Sequence, residues 1–243
     1  MGQTITKLFT QYQSLYLQGI QITLLVALTG TILGLVLGFV LSGMRLIRIT
    51  GKENIMLRVL KRLIRFIASA YIEFVRGTPM MVQGVFLYNY FYRALQWTPV
   101  VAAIIIVSLN TAAYMAEIIR SGIQSVDPGQ REAALTIGMS ESQAFRLIIL
   151  PQAVKNAFPS IGNEFVVNIK DTSVLNVIGL TELFFQGMSV AGTTYKFTES
   201  MMIIALIYFG LTFAVTRILM VIEKRLDMPV KSLQSQTVPI GDR

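Results

Sequence analysis

The chain has 243 residues, of which 53% are hydrophobic and 14% charged, against about 25% charged residues in an average soluble domain. This composition indicates a membrane protein. Because the chain contains no cysteine and no histidine, disulfides, thiolate chemistry, imidazole proton relays and the commonest metal ligands are excluded. We therefore expect no catalytic and no metal-binding residues. The net charge of +8 does not predict a nucleic-acid partner, because basic residues of membrane chains usually mark cytoplasmic loops.

Five apolar stretches predict five membrane spans. The first is too long for a signal-peptide core of about 7–15 residues and lacks an A-x-A cleavage site, so we interpret it as a span. Gly77, Thr78 and Pro79 interrupt the second stretch and predict a kink there. The stretches lie at about residues 22–44, 66–94, 100–119, 159–181 and 200–222.

The basic residues predict the orientation. Seven lysines and arginines from Arg45 to Arg65 are opposed only by Glu53, so this basic loop, whose further role stays open, should be cytoplasmic. Arg93 and Lys196 are the only bases in the two links that should face outward. We expect an extracytoplasmic segment at 1–21, a transmembrane domain at 22–225 and a polar cytoplasmic tail at 226–243.

The cytoplasmic connection at about 120–158 contains the start and stop signals of a short helix. Asp127 offers an N-cap oxygen and Pro128 occupies the first helical position. The helix should run to about Ile137 and stop at Gly138.

A second short helix is predicted directly afterwards. Ser140 and Gln143 fit the S-x-x-E/Q capping box, and Pro151 should limit the helix. Two interpretations of this helix pair stay open: an amphipathic hairpin resting on the bilayer or the bundle, or a projection that docks on a partner. Small residues beside the single charge of Glu132 would permit close approach and one oriented ion pair.

Several motifs carry a family resemblance. Glu132-Ala133-Ala134, Gly138 and Ile149-Leu150-Pro151 resemble the EAA signature of the membrane subunits of ABC importers. Over about residues 15–225 the chain resembles the polar amino acid permeases, a family whose substrates include histidine, glutamine, glutamate, arginine and cystine. The motifs are Arg76-Gly77-Thr78-Pro79 with Val82-Gln83, Ser108-Leu109-Asn110-Thr111, Ala116-Glu117-Ile118-Ile119-Arg120, Gly162-Asn163-Glu164-Phe165 and Lys170-Asp171-Thr172-Ser173.

The resemblance implies an all-α integral membrane protein with the type I ABC importer transmembrane-domain fold, with five transmembrane helices and a cytoplasmic coupling helix at 128–138. It implies two permease subunits, identical or sister, a cytoplasmic ATPase dimer and an extracytoplasmic solute-binding protein in a bacterial cell membrane. ATP and Mg are expected on the ATPase and no cofactor in this chain, which lacks a G-x-x-x-x-G-K-[ST] phosphate loop. The ATPase-coupling residues would be Glu132, which pairs with a basic group, Ala133, Ala134 and Gly138, which permits the bend.

Polar side chains recur at helical spacing on two spans and suggest a lined substrate path. They are Asn110, Tyr114 and Glu117 on the third span, and Ser160, Glu164, Asn168 and Asp171 on the fourth. An amino acid zwitterion needs an anionic partner for its ammonium and a donor for its carboxylate, which Glu164 or Asp171 and Lys170, Asn163 or Thr172 could supply. The candidate substrate-binding residues are Asn110, Asn163, Glu164, Asn168, Lys170, Asp171 and Thr172.

Purely structural roles are also open for the charged residues. Glu164, Lys170 and Asp171 could satisfy one another or the other permease subunit. Glu117 could meet Arg120, one turn later on the same helix.

Two further patterns indicate packing. Glu73 and Arg76, at i and i+3, are expected to form a mutual pair. Gly30, Gly34 and Gly38, at four-residue spacing, predict close helix packing.

The alternative function is a secondary transporter or channel whose amphipathic loop lies on the membrane. The lack of an evident internal repeat argues mildly against it. A membrane anchor without transport would leave the buried polar side chains unexplained.

Overall fold

A computed structural model describes residues 2–47, 49–51 and 53–225 of the chain. All regular structure in these residues is helical. The α-helices are α1 (Gly2–Gln11), α2 (Gln13–Arg45), α3 (Ile55–Arg76), α4 (Met80–Leu95), α5 (Pro99–Gln124), α6 (Pro128–Thr136), α7 (Glu141–Ala144), α8 (Leu150–Asp171), α9 (Leu183–Thr194) and α10 (Phe197–Arg225). A π-helical turn occupies Phe145–Ile149 and a 3-10 helix Thr172–Ile178. The predicted tail at 226–243 lies outside the described residues.

Three of the described helices, α2, α5 and α10, are long and apolar enough to cross a membrane. They contain the predicted spans at 22–44, 100–119 and 200–222. A fourth crossing is possible if residues 141–178 and α9, which meet at an angle of 56°, form one bent span. This pair contains the predicted span at 159–181 except for residues 179–181, which lie at the bend. The chain is therefore an all-helical, multi-pass membrane protein.

The predicted second span at 66–94 is divided into two helices. Pro79 has an extended backbone (ψ 136°) and precedes α4, and the proline disfavours helical geometry at Thr78. The chain therefore breaks here instead of kinking. Helix α3 begins at Ile55, so four of the seven basic residues of the predicted loop are helical. These four side chains share one face of the helix, as in an amphipathic helix.

The close approach of α2 and α5 confirms the packing predicted from the glycine spacing. The three glycines are buried and lie against α5. Larger residues would hold the two backbones apart. Ideal Cβ atoms would lie 2.5 Å from Val107 Cγ1 at Gly30, 2.7 Å from Thr111 Cβ at Gly34 and 2.5 Å from Met115 Cβ at Gly38.

Pro151 does not end the second short helix, contrary to the sequence prediction. Helix α7 begins with the predicted capping box, in which Ser140 N donates to Gln143 Oε1 (2.8 Å) and Gln143 N to Ser140 Oγ (3.3 Å). It then continues through the π-helical turn into α8. Leu150 N donates to Phe145 O, five residues back, so the helical register changes just before the proline. Pro151 lies just after this turn, so the change of register falls where the proline cannot donate a backbone hydrogen bond.

Candidate coupling and transport site

Residues 125–149, between α5 and α8, form a helical elbow that contains α6, α7 and the π-helical turn. Asp127 Oδ1 accepts a hydrogen bond from Gly129 N at 2.7 Å, which caps the start of α6. Gly138 has φ +87°, a left-handed conformation that favours glycine and turns the chain towards α7. The predicted helix start and the glycine stop are both confirmed.

One side of α6 faces away from the protein. The side chains of Glu132 and Ala133 are exposed, and Ile137 just after the helix is 76% exposed. Ala134 is turned inward and is only 5% exposed. Within the described part of the chain, the Glu132 carboxylate forms no ion pair. The EAA residues therefore present a small apolar surface with one unpaired charge.

The elbow stands on a packed base. Val126, Ile149 and Ala153 form a buried apolar cluster that joins the end of α5 to the start of α8. Arg131 on α6 binds Glu141 on α7, with Nε 3.0 Å from Oε2 and a second, shorter contact from Nη2. The cluster joins the two ends of the elbow, and the ion pair joins α6 to α7.

Four charged residues meet where α2, α3 and α5 come together. Arg120 Nη2 lies 2.7 Å from Glu117 Oε2, which confirms the expected contact. Arg45 at the end of α2 also binds this carboxylate, and Arg76 Nη1 lies 3.9 Å from it. The Arg76 guanidinium lies over the Tyr114 ring, 5.6 Å from its centroid. Glu117 of α5 thus binds the ends of two other helices, α2 and α3.

The pair expected between Glu73 and Arg76 is wrong. Arg76 is the last residue of α3 and reaches across to Glu117 on α5. The Glu73 side chain is exposed, and it forms no salt bridge within the described residues. Contact between helices therefore decides the partner of Arg76.

Two of the candidate substrate residues take part in hydrogen bonds between helices. Asn110 Nδ2 donates to Gln83 Oε1 at 3.0 Å, which joins α5 to α4. Asn168 Nδ2 donates to Thr31 Oγ1 at 2.8 Å and to Thr111 Oγ1 at 3.0 Å. Asn110 is 8% exposed and Asn168 3% exposed. In this single chain, each asparagine hydrogen-bonds to side chains of neighbouring helices, and the two do not line one open path.

The remaining candidates lie on α8 and at its end. Thr172 is fully buried, and its hydroxyl donates to the Ile169 carbonyl at 3.0 Å. Lys170 and Asn163 are exposed, whereas Glu164 and Asp171 are half-buried. Among the described residues, Glu164, Lys170 and Asp171 form no salt bridge with one another. No ion pair of the kind that the sequence left open therefore joins these three side chains within the described residues.

Sequence reasoning missed a buried carboxylate at the bend before α9. Glu182 is fully buried and accepts hydrogen bonds from Phe184 N (2.9 Å), Phe185 N (2.8 Å) and Tyr208 Oη (2.6 Å). It thereby caps α9 and holds α10 against it. The sequence signal that could have revealed it is a lone acidic residue directly before an apolar run. A charge at such a position is costly inside a membrane, so it indicates a specific partner.

Comparison with known proteins identifies the family. The sequence pattern described as binding-protein-dependent transport system inner membrane component matches residues 49–228. The chain is 36% identical to the probable amino-acid permease protein YxeN of Bacillus subtilis over 220 residues, which cover 89% of this chain and 93% of that protein. It is 35% identical to the arginine transport system permease protein ArtQ of Bacillus subtilis, with 86% and 91% covered.

A solved structure agrees with these relatives. The crystal structure of an amino acid ABC transporter with histidines superposes with a TM-score of 0.80 at 36% identity, covering 89% of this chain and 96% of that chain. In such transporters the ATPase is a separate subunit. The chain therefore belongs to the family of binding-protein-dependent transport system inner membrane components, and it is a permease subunit of an ABC importer rather than an enzyme.

Proposed function

We propose that this permease imports an amino acid and that α6 is its coupling helix to a cytoplasmic ATPase. The substrate class is supported by the names of the relatives, an arginine permease and a probable amino-acid permease, which match most of the chain. Family membership excludes the alternative of a secondary transporter or channel, because the family works with a binding protein and a separate ATPase. ATP and Mg would bind the ATPase.

The exposed α6 on its packed base is the single observation that carries the coupling role. A coupling element must be open to its partner yet firmly joined to the spans it moves. Glu132 and Ala133 are exposed, while Ala134 and the Arg131–Glu141 pair hold the helix to its neighbours. Closure of the ATPase would move α6 and rock α5 and α8 with it, which is alternating access by rigid-body motion.

The proposed topology has five crossings, with the amino terminus outside and the carboxyl terminus in the cytoplasm. Helices α2, α5 and α10 supply three crossings, and α8 with α9 supplies the bent one. The fifth is α4 together with the second half of α3, which packs against the inner half of α5. Gln83 on α4 reaches Asn110 near the middle of α5, and Gly84 faces Ile106 one turn further out. Helix α4 therefore runs along the outer half of α5 in the opposite direction. Basic residues at the ends of α2 and α10 support the orientation.

The proposed substrate contacts are on the open side of α8. Glu164 and Asp171 would receive the ammonium group, and Asn163 or Lys170 the carboxylate. The lack of salt bridges among these charged residues supports this role. Asn110, Asn168 and Thr172, which bind within the chain, would shape the path from behind. A second permease subunit, identical or sister, would complete the path opposite α8.

The coupling proposal is tested by Glu132→Lys in the assembled transporter. This reversal should abolish the ATP hydrolysis that amino acid and binding protein stimulate, because it repels the basic group that Glu132 is proposed to meet. Glu73→Lys makes the same charge change at an exposed acid of α3 and is the matched control. Gel filtration checks that both complexes assemble. Full stimulation in an assembled Glu132→Lys complex would refute the docking role.

The substrate path is tested separately by Glu164→Gln. Uptake of radiolabelled amino acid into vesicles should weaken, while the complex still assembles with its ATPase. The change removes the ionisable carboxyl group but keeps the side-chain size, so packing is little affected. Normal uptake by this variant would leave Glu164 with a structural role only.

A further inference from the structure

Helix α3 has two chemically different sides over residues 55–67. At about 100° per residue, its basic side chains fall on one arc and its large apolar side chains on the opposite, wider arc. The basic residues are Arg58, Lys61, Arg62 and Arg65. On the apolar arc, Ile55 is 70%, Met56 78% and Phe66 70% exposed. Exposed apolar surface of this extent indicates a contact beyond this chain.

The bundle covers only the second half of α3. The buried residues of the helix are Ala68, Ile72 and Val75. Ile72 and Val75 pack against Ala113 and Ala116 of α5. Residues 55–67 include no buried residue. The first half of α3 therefore extends beyond the core of the subunit.

The contacts of Glu117 determine how α3 lies relative to the membrane. Arg45 at the end of α2 and Arg76 at the end of α3 both reach this carboxylate, so both helices end at the same membrane face. A crossing helix of about 33 Å would start at the opposite face. The polar link at 46–54 would then have to traverse the hydrocarbon core, where an irregular backbone is not tolerated. The first half of α3 must therefore lie along the membrane face at which α2 ends.

Contacts in the link fix the start of α3 and leave two arginines free. Lys61 Nζ lies 2.5 Å from Glu53 Oε1, and Arg58 Nε donates to the Glu53 carbonyl at 3.1 Å. The hydrogen bond from Lys61 lowers the pKa of Glu53, so its carboxylate is charged at neutral pH. Arg62 and Arg65 are exposed and form no hydrogen bond or ion pair with any other residue that the structure describes.

We propose that residues 55–67 of α3 bind the surface of an anionic bilayer, with Arg62 and Arg65 on lipid phosphates and the apolar arc at the acyl boundary. Guanidinium groups bind phosphate oxygens in bidentate fashion. Anionic leaflets attract basic residues beside a membrane span, and amphipathic helices with this division of side chains lie in the interface plane. A lipid surface matches both arcs at once, because its phosphates meet the basic arc and its acyl chains meet the apolar arc. A protein partner would need a separate surface for each arc.

The test places a nitroxide spin label at Met56→Cys in the full-length permease. The chain has no cysteine, so the label attaches at one site. Nanodiscs of phosphatidylcholine alone are compared with nanodiscs of equal parts phosphatidylcholine and phosphatidylglycerol. Lipid-soluble oxygen and a water-soluble nickel chelate report the environment of the label. A label at Ile137→Cys, a similarly exposed apolar position directly after α6, is the water-exposed control.

The label at position 56 should contact oxygen and be shielded from nickel in phosphatidylglycerol nanodiscs. The ratio of inserted to water-exposed label should fall about fivefold per arginine removed, hence about 25-fold for Arg62→Gln with Arg65→Gln. Arg62→Lys with Arg65→Lys should largely retain insertion. Lys224→Gln with Arg225→Gln removes two charges from the end of α10 and should change nothing. Fluorescence of Trp97, the single tryptophan, checks folding.

Three results would overturn the proposal. The first is a label that nickel reaches in both bilayers, since α3 would then lie in water. The second is insertion that depends neither on phosphatidylglycerol nor on the two arginines, which would leave apolar burial without recognition of anionic lipid. The third is shielding from both reagents with dipolar broadening, which would mean that a second copy of the chain covers the helix.

Discussion

Replacing Gly38 by alanine should separate α2 from α5 and lower the stability of the permease. The new Cβ would lie 2.5 Å from Met115 Cβ and 3.1 Å from two backbone atoms, Ala112 O and Ala116 N. Carbon atoms normally rest about 3.5–4.0 Å apart, so α2 must retreat by about 1 Å. Backbone atoms cannot turn aside as a flexible side chain can. The expected cost of such overpacking is about 1–3 kcal/mol.

Two glycines of the same chain isolate this packing cost. Gly43 lies near the end of α2 and Gly210 in the middle of α10, and a Cβ added at either meets no atom within 4 Å. Alanine gains about 1 kcal/mol of helix propensity over glycine at each of the three sites. Because all three variants gain this helix propensity, it cancels when the stability of Gly38→Ala is compared with that of the two controls. Gly38→Ala should therefore be less stable than either control by about 1–3 kcal/mol, or about 5- to 150-fold in the unfolding equilibrium.

The assay is unfolding of the purified permease by sodium dodecyl sulfate in mixed micelles. Trp97 is the only tryptophan and is 9% exposed in a cluster with Val26 and Ile106, so its fluorescence reports loss of the core directly. Gly38→Ala should unfold at a lower detergent fraction than both controls. Identical midpoints for the three variants would refute the reasoning, because the helices would then have room for a methyl group.

Two further substitutions test polar contacts between the spans. Asn168→Leu removes the hydrogen bonds to Thr31 and Thr111. The permease should lose about 1–2 kcal/mol of stability in the same detergent titration, since hydrogen bonds inside membranes average about 0.6 kcal/mol each. An unchanged unfolding midpoint would contradict a structural role for the asparagine. Glu117→Gln should raise the rate of amide hydrogen exchange in the second half of α3, because Arg76 and Arg45 lose their shared carboxylate. An exchange rate equal to that of the parent protein would show that apolar packing alone holds α3 against α5.

The elbow could be predicted from sequence because its signals are local. A capping aspartate, a proline at the first helical position and a left-handed glycine act within a few residues, and Asp127, Pro128 and Gly138 behave as expected. Pro151 has an equally local signal, yet it misled the prediction. The π-helical turn before it changes the register, and helix propensities do not report such a turn.

The partners of charged residues could not be predicted in the same way. Glu73 is three residues from Arg76 in the chain, whereas Glu117 is distant in sequence but close in the fold. Which acid an arginine meets depends on how α3 crosses α5, and no pattern within one helix contains that angle. The same holds for Asn168, whose spacing indicates a polar face but not the threonines of α2 and α5 that it binds.

The contacts along α5 suggest which parts of the subunit move together. From its amino-terminal to its carboxyl-terminal end, this helix meets the glycine face of α2, then the carboxylate cluster at Glu117, then the apolar cluster of the elbow at Val126. Tight backbone contacts leave no room for α2 to slide independently, so a force on α6 would move α5 and α2 as one body. The first half of α3 has no such contacts and could stay with the membrane surface. The junction at Arg76 would then be the point where the moving body meets a part held by lipid, which makes Glu117 the residue at which bilayer composition could influence coupling.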